Sequence, residues 1–306
     1  MKILVYCAVF LLMPFIFAGI INNIKSFWAG RQGPPLLQPF FDFIKFLKKG
    51  RVISATSGGI FAAAPVAGAA AVLAASLVVP VSGSGSLFSF GGDFIFFAYI
   101  LALGKFFMIA SSMETGSSFE GMGASREAFF SALVEPSFFI IFASLSAFSG
   151  HLSFSGIFAF IRTGEPLMTA IIILCAASLY ITLLTEGCRV PVDDPNTHLE
   201  LTMIHEVMVL DNSGPDMALI NYASWLKMTM FSVLISGIII DPSTGAGISL
   251  AITLVIILAA AVITGCIESM FARLRMTHVP QFLLLTASIA VAVLSIAVLV
   301  IFGGLK

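Results

Sequence analysis

Apolar runs long enough to cross a lipid bilayer recur along this chain, and they limit its possible folds more than any other feature. We read eight of them, at about 3–24, 58–80, 94–112, 129–149, 166–185, 217–240, 246–271 and 280–302. A helix needs about 20 apolar residues to cover roughly 30 Å of hydrocarbon, and in lipid only helices and closed barrels satisfy every backbone N–H and C=O. Hydrophobic residues make up 59% of the 306 and charged residues 10%, where a soluble domain carries about 25% charge. The expected fold is therefore an all-α polytopic membrane protein. It forms a single integral membrane domain over residues 1–306, with amphipathic helices in its cytoplasmic loops.

The first run, from Met1 to Gly19, has one lysine, a long apolar stretch and small residues near its end, as a signal peptide does. It continues through Ile20 and Ile21 to Ile24, so an uncleaved first membrane helix is the simpler reading. Basic residues are distributed unequally between the two sides. The odd-numbered loops, at about 25–57, 113–128, 186–216 and 272–279, carry Lys25, Arg31, Lys45, Lys48, Lys49, Arg51, Arg126, Arg189, Arg273 and Arg275. The opposite side carries Lys2, Arg162 and Lys306. The positive-inside rule then makes the odd loops cytoplasmic and puts both termini outside. A net charge of −1 argues against a nucleic-acid partner. Cys7, Cys175, Cys188 and Cys266 are dispersed with no CxxC pair, so neither a disulfide framework nor an iron–sulfur ligand set is expected in this chain.

Four charged residues fall inside spans: Lys105, Glu135, Lys227 and Glu268. Each costs about 3 kcal/mol or more at membrane depth unless paired or hydrated. They are either salt bridges that hold helices together or stations in a water-connected proton relay. Glu135 precedes Pro136, whose missing N–H frees a carbonyl one turn back.

The densest polar stretch runs from Thr185 to Glu206. It holds Glu186, Arg189, Asp193, Asp194, Glu200 and Glu206 together with His198 and His205. Pro191 and Pro195 break the helix, and Leu199 onward can resume it as a short amphipathic segment. The two histidines are seven residues apart, unlike the H-E-x-x-H zinc pair, and no third ligand stands out, so no metal site is expected. The stretch reads as a solvated acidic loop or as a carboxylate-lined mouth to a membrane relay.

In the first loop, Gly33-Pro34-Pro35 bars a helix, while the segment after Pro39 has helical periodicity. Leu37, Phe40, Phe41, Ile44 and Leu47 share one face, opposite Gln38, Asp42, Lys45 and Lys49. Such a helix lies in the headgroup plane, as a lipid anchor or as one wall of a docking face. The third loop, Glu114 to Glu127, is glycine-rich, but no strand precedes it and the Gly-Lys-Ser/Thr ending of a P-loop is absent. It reads as a flexible loop leading into a helix from Ser125.

The order Glu186-x-x-Arg189-x-Pro191-x-Asp193, then Glu200-Leu201, resembles the cytoplasmic loop of the respiratory complex I subunit 1 family. The stretch Gly30-Arg31-x-Gly33-Pro34-x-x-x-Gln38-Pro39 resembles that family's first loop, and the likeness extends over essentially the whole chain. Within the family, Pro191-Val192-Asp193-Asp194-Pro195 is similar to the membrane subunit of energy-converting nickel–iron (NiFe) hydrogenases, of the formate hydrogenlyase and hydrogenase-4 component C kind. Thr115-Gly116-Ser117-Ser118-Phe119, Gly121-Met122-Gly123-Ala124-Ser125-Arg126 and Ala223-Ser224-Trp225-Leu226-Lys227 resemble the same branch. The Phe-Asp-Leu glutamate run typical of complex I members is missing, which counts against quinone binding.

The resemblance implies a non-catalytic subunit in a prokaryotic inner membrane, binding no cofactor itself. It would join hydrogenase large and small subunits, which carry the NiFe centre and iron–sulfur clusters, to antiporter-like membrane subunits that move protons or sodium ions. Ion-relay candidates are Lys105, Glu135, Glu186, Glu200, Glu206, Lys227 and Glu268. Docking-face candidates are Arg31, Gln38, Arg126, Arg189, Asp193, Asp194 and His198. The alternatives are a quinone-reducing complex I subunit, a stand-alone ion-coupled transporter and a passive anchor whose buried charges are only structural.

Overall fold

The structure, a computed structural model, describes residues 2–54, 56–81, 85–161, 166–195 and 202–303. His198 and Glu200 lie outside the described residues. Among the described residues, eight helices are long and apolar enough to cross a membrane, as the sequence predicts, and no strand forms.

The first span, α1 (Ile3–Trp28), contains a wide π-helical turn at Ala8–Leu12, just before Pro14. Proline has no N–H to offer the carbonyl four residues back, which is that of Phe10. The Tyr222 hydroxyl donates to the Phe10 carbonyl instead, at 3.1 Å. After α1 the chain doubles back along it, and the Leu36 carbonyl packs so closely against Gly19 that any side chain there would collide with it.

The amphipathic helix expected after Pro39 is present as α2 (Gln38–Leu47). Phe40 and Phe43 seat their rings 5.3 and 5.5 Å from that of Phe15. Phe43, outside the apolar stripe read from the sequence, also meets Tyr222 at 5.6 Å.

The next spans are α3 (Gly59–Ser76) and α4 (Asp93–Glu114). The Glu114 carboxylate accepts the Phe61 N–H at 2.6 Å, which satisfies one of the unpaired donors at the start of α3 and places an anion at its positive end.

Helix α5 runs over Ser118–Ser149 and corrects the expected loop at 113–128. The turn is confined to Thr115–Ser117, with Gly116 in the left-handed region at φ 71°. Of the two glycines that follow in α5, Gly121 stands in open space and Gly123 serves packing. A Cβ on Gly123 would run into Val207, Met208 and the Ile204 carbonyl, so glycine lets a neighbouring segment lie against the helix backbone. At 32 residues, α5 is about 48 Å long and must project beyond about 30 Å of hydrocarbon.

A short helix, α6 (Phe154–Phe160), follows on the other side, with the Phe154 N–H donating to Asp93 at 2.7 Å. Then come α7 (Pro166–Glu186), the one-turn α8 (His205–Met208), α9 (Pro215–Ile239), α10 (Ala246–Met270) and α11 (Val279–Gly303). Helix α9 is the central post: 78% of its apolar window is buried, against 28% for α11. It packs against α1, α2, α3, α7 and α10. The first and fifth loops, expected on one side, touch there. Arg51 Nε meets Asp216 Oδ2 at 2.6 Å, and the Val52 N–H donates to Ser213 Oγ at 3.0 Å.

Candidate functional site

Four helices bring a buried ionic group together where α4, α5, α7 and α9 meet. Lys105 on α4 places its Nζ 2.5 Å from Glu186 Oε1, 2.7 Å from Ser131 Oγ and 3.7 Å from Glu127 Oε1. Lys227 on α9 places its Nζ 3.3 Å from Glu186 Oε2. Glu186, the last residue of α7, thus uses both carboxylate oxygens on two ammonium groups. Two lysines and two glutamates make the set neutral, which is how charge is tolerated away from water.

Lys105 and Glu186 also form a wall shared by two cavities. One, of about 50 Å³, is lined by Glu127, Cys188, His205, Ser224 and Lys227 among others. The other, of about 30 Å³, reaches Glu135, Thr182 and Phe231. A water needs about 10–15 Å³ of such space, so each cavity has room for water beside titratable groups. Glu135 has no ion-pair partner among the described residues, and it lines the second cavity with Lys105 and Glu186. Cys188 lines the first cavity with its backbone at φ 54°. Burial pushes its thiol well above the ordinary value, so the thiol stays protonated and is a poor nucleophile.

Of the relay candidates, the structure unites Lys105, Glu135, Glu186 and Lys227. Glu206 is half-buried on α8 beside His205 and does not line either cavity. Glu268 belongs to a separate group: its carboxylate takes Lys25 Nζ at 2.7 Å and Arg189 at 3.2 Å, tying α1 and α10 to the start of the fifth loop. Sequence reasoning missed Glu127, Ser131 and His205 as members of the site. Glu127, Ser131 and Glu135 recur every fourth residue on α5, a one-face spacing that could have revealed the first two.

The docking candidates divide. Arg31 is exposed and Gln38 half-buried, its amide donating to Asp42 at 2.9 Å. Arg126 donates to the Met203 carbonyl at 2.7 Å, and Asp194 is half-buried. Arg189 and Asp193 are corrections: both are taken into the fold rather than shown at its surface. Asp193 is 2% exposed. It pairs with Arg273 at 3.1 Å and accepts the Ile204 and His205 N–H groups at 3.2 and 2.9 Å. Burial pushes its carboxyl above the ordinary value, against the pull of the His205 N–H and Arg273. Asp193→Ala should therefore loosen the fifth loop by about 1–3 kcal/mol, through unpaired buried donors. Limited proteolysis of washed membranes would register faster cutting there, and wild-type resistance would contradict the assignment.

Among the described residues, no group of three or more His, Cys, Asp or Glu is placed to hold a metal ion. Residues 1–301 match the family model described as NADH dehydrogenase. The chain belongs to the NADH dehydrogenase subunit 1-type family. Among curated members it is 29% identical to hydrogenase-4 component C of Escherichia coli (strain K12), over 89% of this chain and 87% of that one. It is 28% identical to formate hydrogenlyase subunit 4 of the same organism, over 86% and 87%. A subunit of the NADH-quinone oxidoreductase of Anaplasma phagocytophilum (strain HZ) is 27% identical over 70% of this chain and 68% of that one. The family fold is seen in the membrane-bound sulfane sulfur reductase, an archaeal respiratory membrane complex. A chain of that structure superposes with a TM-score of 0.79 at 21% identity, covering 97% of this chain and 99% of its own.

Proposed function

We propose that this chain is the membrane-anchor and coupling subunit of an energy-converting NiFe hydrogenase complex. It links electron transfer and hydrogen chemistry in a cytoplasmic module to proton or sodium-ion movement. The observation that carries this reading is the near full-length likeness to hydrogenase-4 component C and formate hydrogenlyase subunit 4. The site supports the coupling role, since buried Glu186 joins the largely buried Lys105 and Lys227, and Lys105 and Glu186 border a cavity that reaches Glu135.

The chain's own residues hold and move charge; they perform no redox step. When a redox event in the docked module changes the charge near Glu127 and His205, the Glu186 carboxylate and its two ammonium groups readjust. A proton can then pass by water to Glu135. The NiFe centre and iron–sulfur clusters belong to the hydrogenase large and small subunits, and antiporter-like membrane subunits complete the ion path.

The likeness to the NADH-quinone oxidoreductase chain keeps a quinone-linked complex as the second reading. The cavity beside Lys105 is about 50 Å³, far below the roughly 300 Å³ of a small-molecule pocket, so this chain alone does not enclose a quinone headgroup there. Purification of the complex from native membranes, with its subunits and metals identified, tests the assignment. Nickel with hydrogenase subunits is the expected result, and a nickel-free complex that reduces quinone would reverse the order of the two readings.

In this reading the chain lies in the inner membrane with both termini outside. A reporter fused after Lys306 should then report the outer compartment, and one fused after Arg51 the cytoplasm. A cytoplasmic C-terminus would contradict this orientation.

A further inference from the structure

We propose that two stacked triangles of phenylalanine rings insulate this chain, closing the way from Glu135 to the even-numbered loops so that the buried charges do not leak protons across the membrane. The proposal rests on the reading of those charges as part of a coupling path, and it adds the barrier that such a path needs.

The cavity that Glu135 shares with Lys105 and Glu186 is also lined by Phe97, Phe138 and Phe231. These rings come from α4, α5 and α9, and each touches the other two. Their centroids are 5.5 Å apart for Phe97 and Phe138, 5.9 Å for Phe97 and Phe231, and 6.3 Å for Phe138 and Phe231. Phe94, Phe142 and Phe154, from α4, α5 and α6, form a second triangle. There the separations are 6.1 Å for Phe94 and Phe142, 5.0 Å for Phe142 and Phe154, and 6.4 Å for Phe94 and Phe154. Phe142 meets Phe138 at 4.7 Å and Phe154 meets Phe97 at 5.7 Å, so the triangles stack. All six side chains are buried.

Helix direction sets their order. On α5, which leads from the third loop to the fourth, Phe138 and Phe142 follow Glu135 by one and two turns. On α4, which runs the opposite way, Phe97 precedes Lys105 by two turns and Phe94 by three. Phe154 opens α6, in the fourth loop itself. The rings therefore lie between the charges and the even-numbered side. Beyond them the next charged side chain on α4 is Asp93, twelve residues from Lys105, or about 18 Å at 1.5 Å per residue.

Phe231 meets the other rings of its triangle edge-on, and Phe154 does the same with Phe97 and Phe142. Such packing leaves an apolar interior, and apolar interiors stay dry. A proton crossing it would shed its water and find no replacement partner. The hydroxyls beside the rings do not bridge the gap. Thr182 on α7 lines the cavity but donates to the Ser178 carbonyl at 3.0 Å. The buried Ser178 hydroxyl, one turn further, has no hydrogen-bond partner among the described residues. Ser232 on α9 donates to its own helix, at the Met228 carbonyl, 2.9 Å away.

The test reads proton leak without turnover. The whole complex is sealed in vesicles around a pH dye, a pH step is imposed, and its decay is followed with the membrane potential clamped. Wild type and Phe138→Leu, which keeps the gap apolar, should hold the step. Phe138→Ser and Phe231→Ser open room for water beside a hydroxyl, and each should collapse the step about tenfold faster or more, as relief of part of the desolvation barrier implies. Adding Glu135→Gln, one turn from Phe138, should slow that leak. Serine variants as tight as wild type, or a leak that Glu135→Gln leaves unchanged, overturn the proposal. If the serine variants do not assemble, hydroxyl-radical footprinting of the wild-type complex decides, because it marks side chains that stand beside water. The six rings should stay unmarked, and marks on Phe142 or Phe154 overturn the seal. Tight serine variants would remove the seal alone, whereas a wild type that forms no gradient during turnover would remove the coupling reading.

Discussion

Glu186→Leu should destabilise the chain by about 2–4 kcal/mol, because it leaves the largely buried Lys105 and Lys227 ammonium groups without the carboxylate they share. The loss would appear as a lower melting temperature in detergent and less chain in the membrane. Desolvation makes the effect large: a partner removed from a buried pair abandons a charge, whereas removal of the whole set abandons none. Lys105→Met/Glu186→Leu/Lys227→Met, with Glu127→Gln to neutralise the last member, should therefore recover most of the lost stability. It should not recover ion movement, since no titratable group then separates the two cavities. This contrast isolates the chemical role from the structural one. A Glu186→Leu chain with wild-type melting would mean that the cluster does not hold these helices together, and a neutral set that still moves ions would exclude it from the path.

The membrane spans were legible because lipid removes the alternatives, leaving apolar run length as nearly the whole answer. The largest departure from the sequence expectation is at α5, where the helix already begins at Ser118 and runs through Gly121 and Gly123. In the fold Gly123 is where Ile204 and Val207 press on the helix backbone, a packing demand that one segment cannot announce by itself. Glu127 already belonged to the helix expected from Ser125, where its spacing puts it on the face of Ser131 and Glu135, but only the fold brings Lys105 to that face.

Asp193 shows a second limit. A polar run read in isolation is solvated, but Arg273, eighty positions on, pairs with Asp193 and pulls it inside. Glu268 is similar, because its partners Lys25 and Arg189 come from distant parts of the chain. The intramembrane charges were visible one by one as costs that needed an explanation. Their division into a Lys105–Glu186–Lys227 group and a Lys25–Glu268–Arg189 group follows from helix packing alone.

Glu135→Gln is expected to have the largest effect on coupling with the least on structure. The side chain keeps its size and hydrogen-bonding capacity and loses only its proton. Glu135 has no ion-pair partner among the described residues, so neutralising it strands no buried cation, in contrast to Glu186. Assembly, melting temperature and hydrogenase turnover with an artificial dye should stay close to wild type. A purely structural Glu135 would behave in the opposite way, costing stability or subunits while leaving coupling intact in whatever complex survived.

The most direct measurement is the ion gradient formed by the purified complex in sealed vesicles during hydrogen turnover, wild type against Glu135→Gln. The account predicts a gradient for the wild type and none for the variant at matched dye-linked activity; a full gradient from assembled Glu135→Gln complex would contradict it.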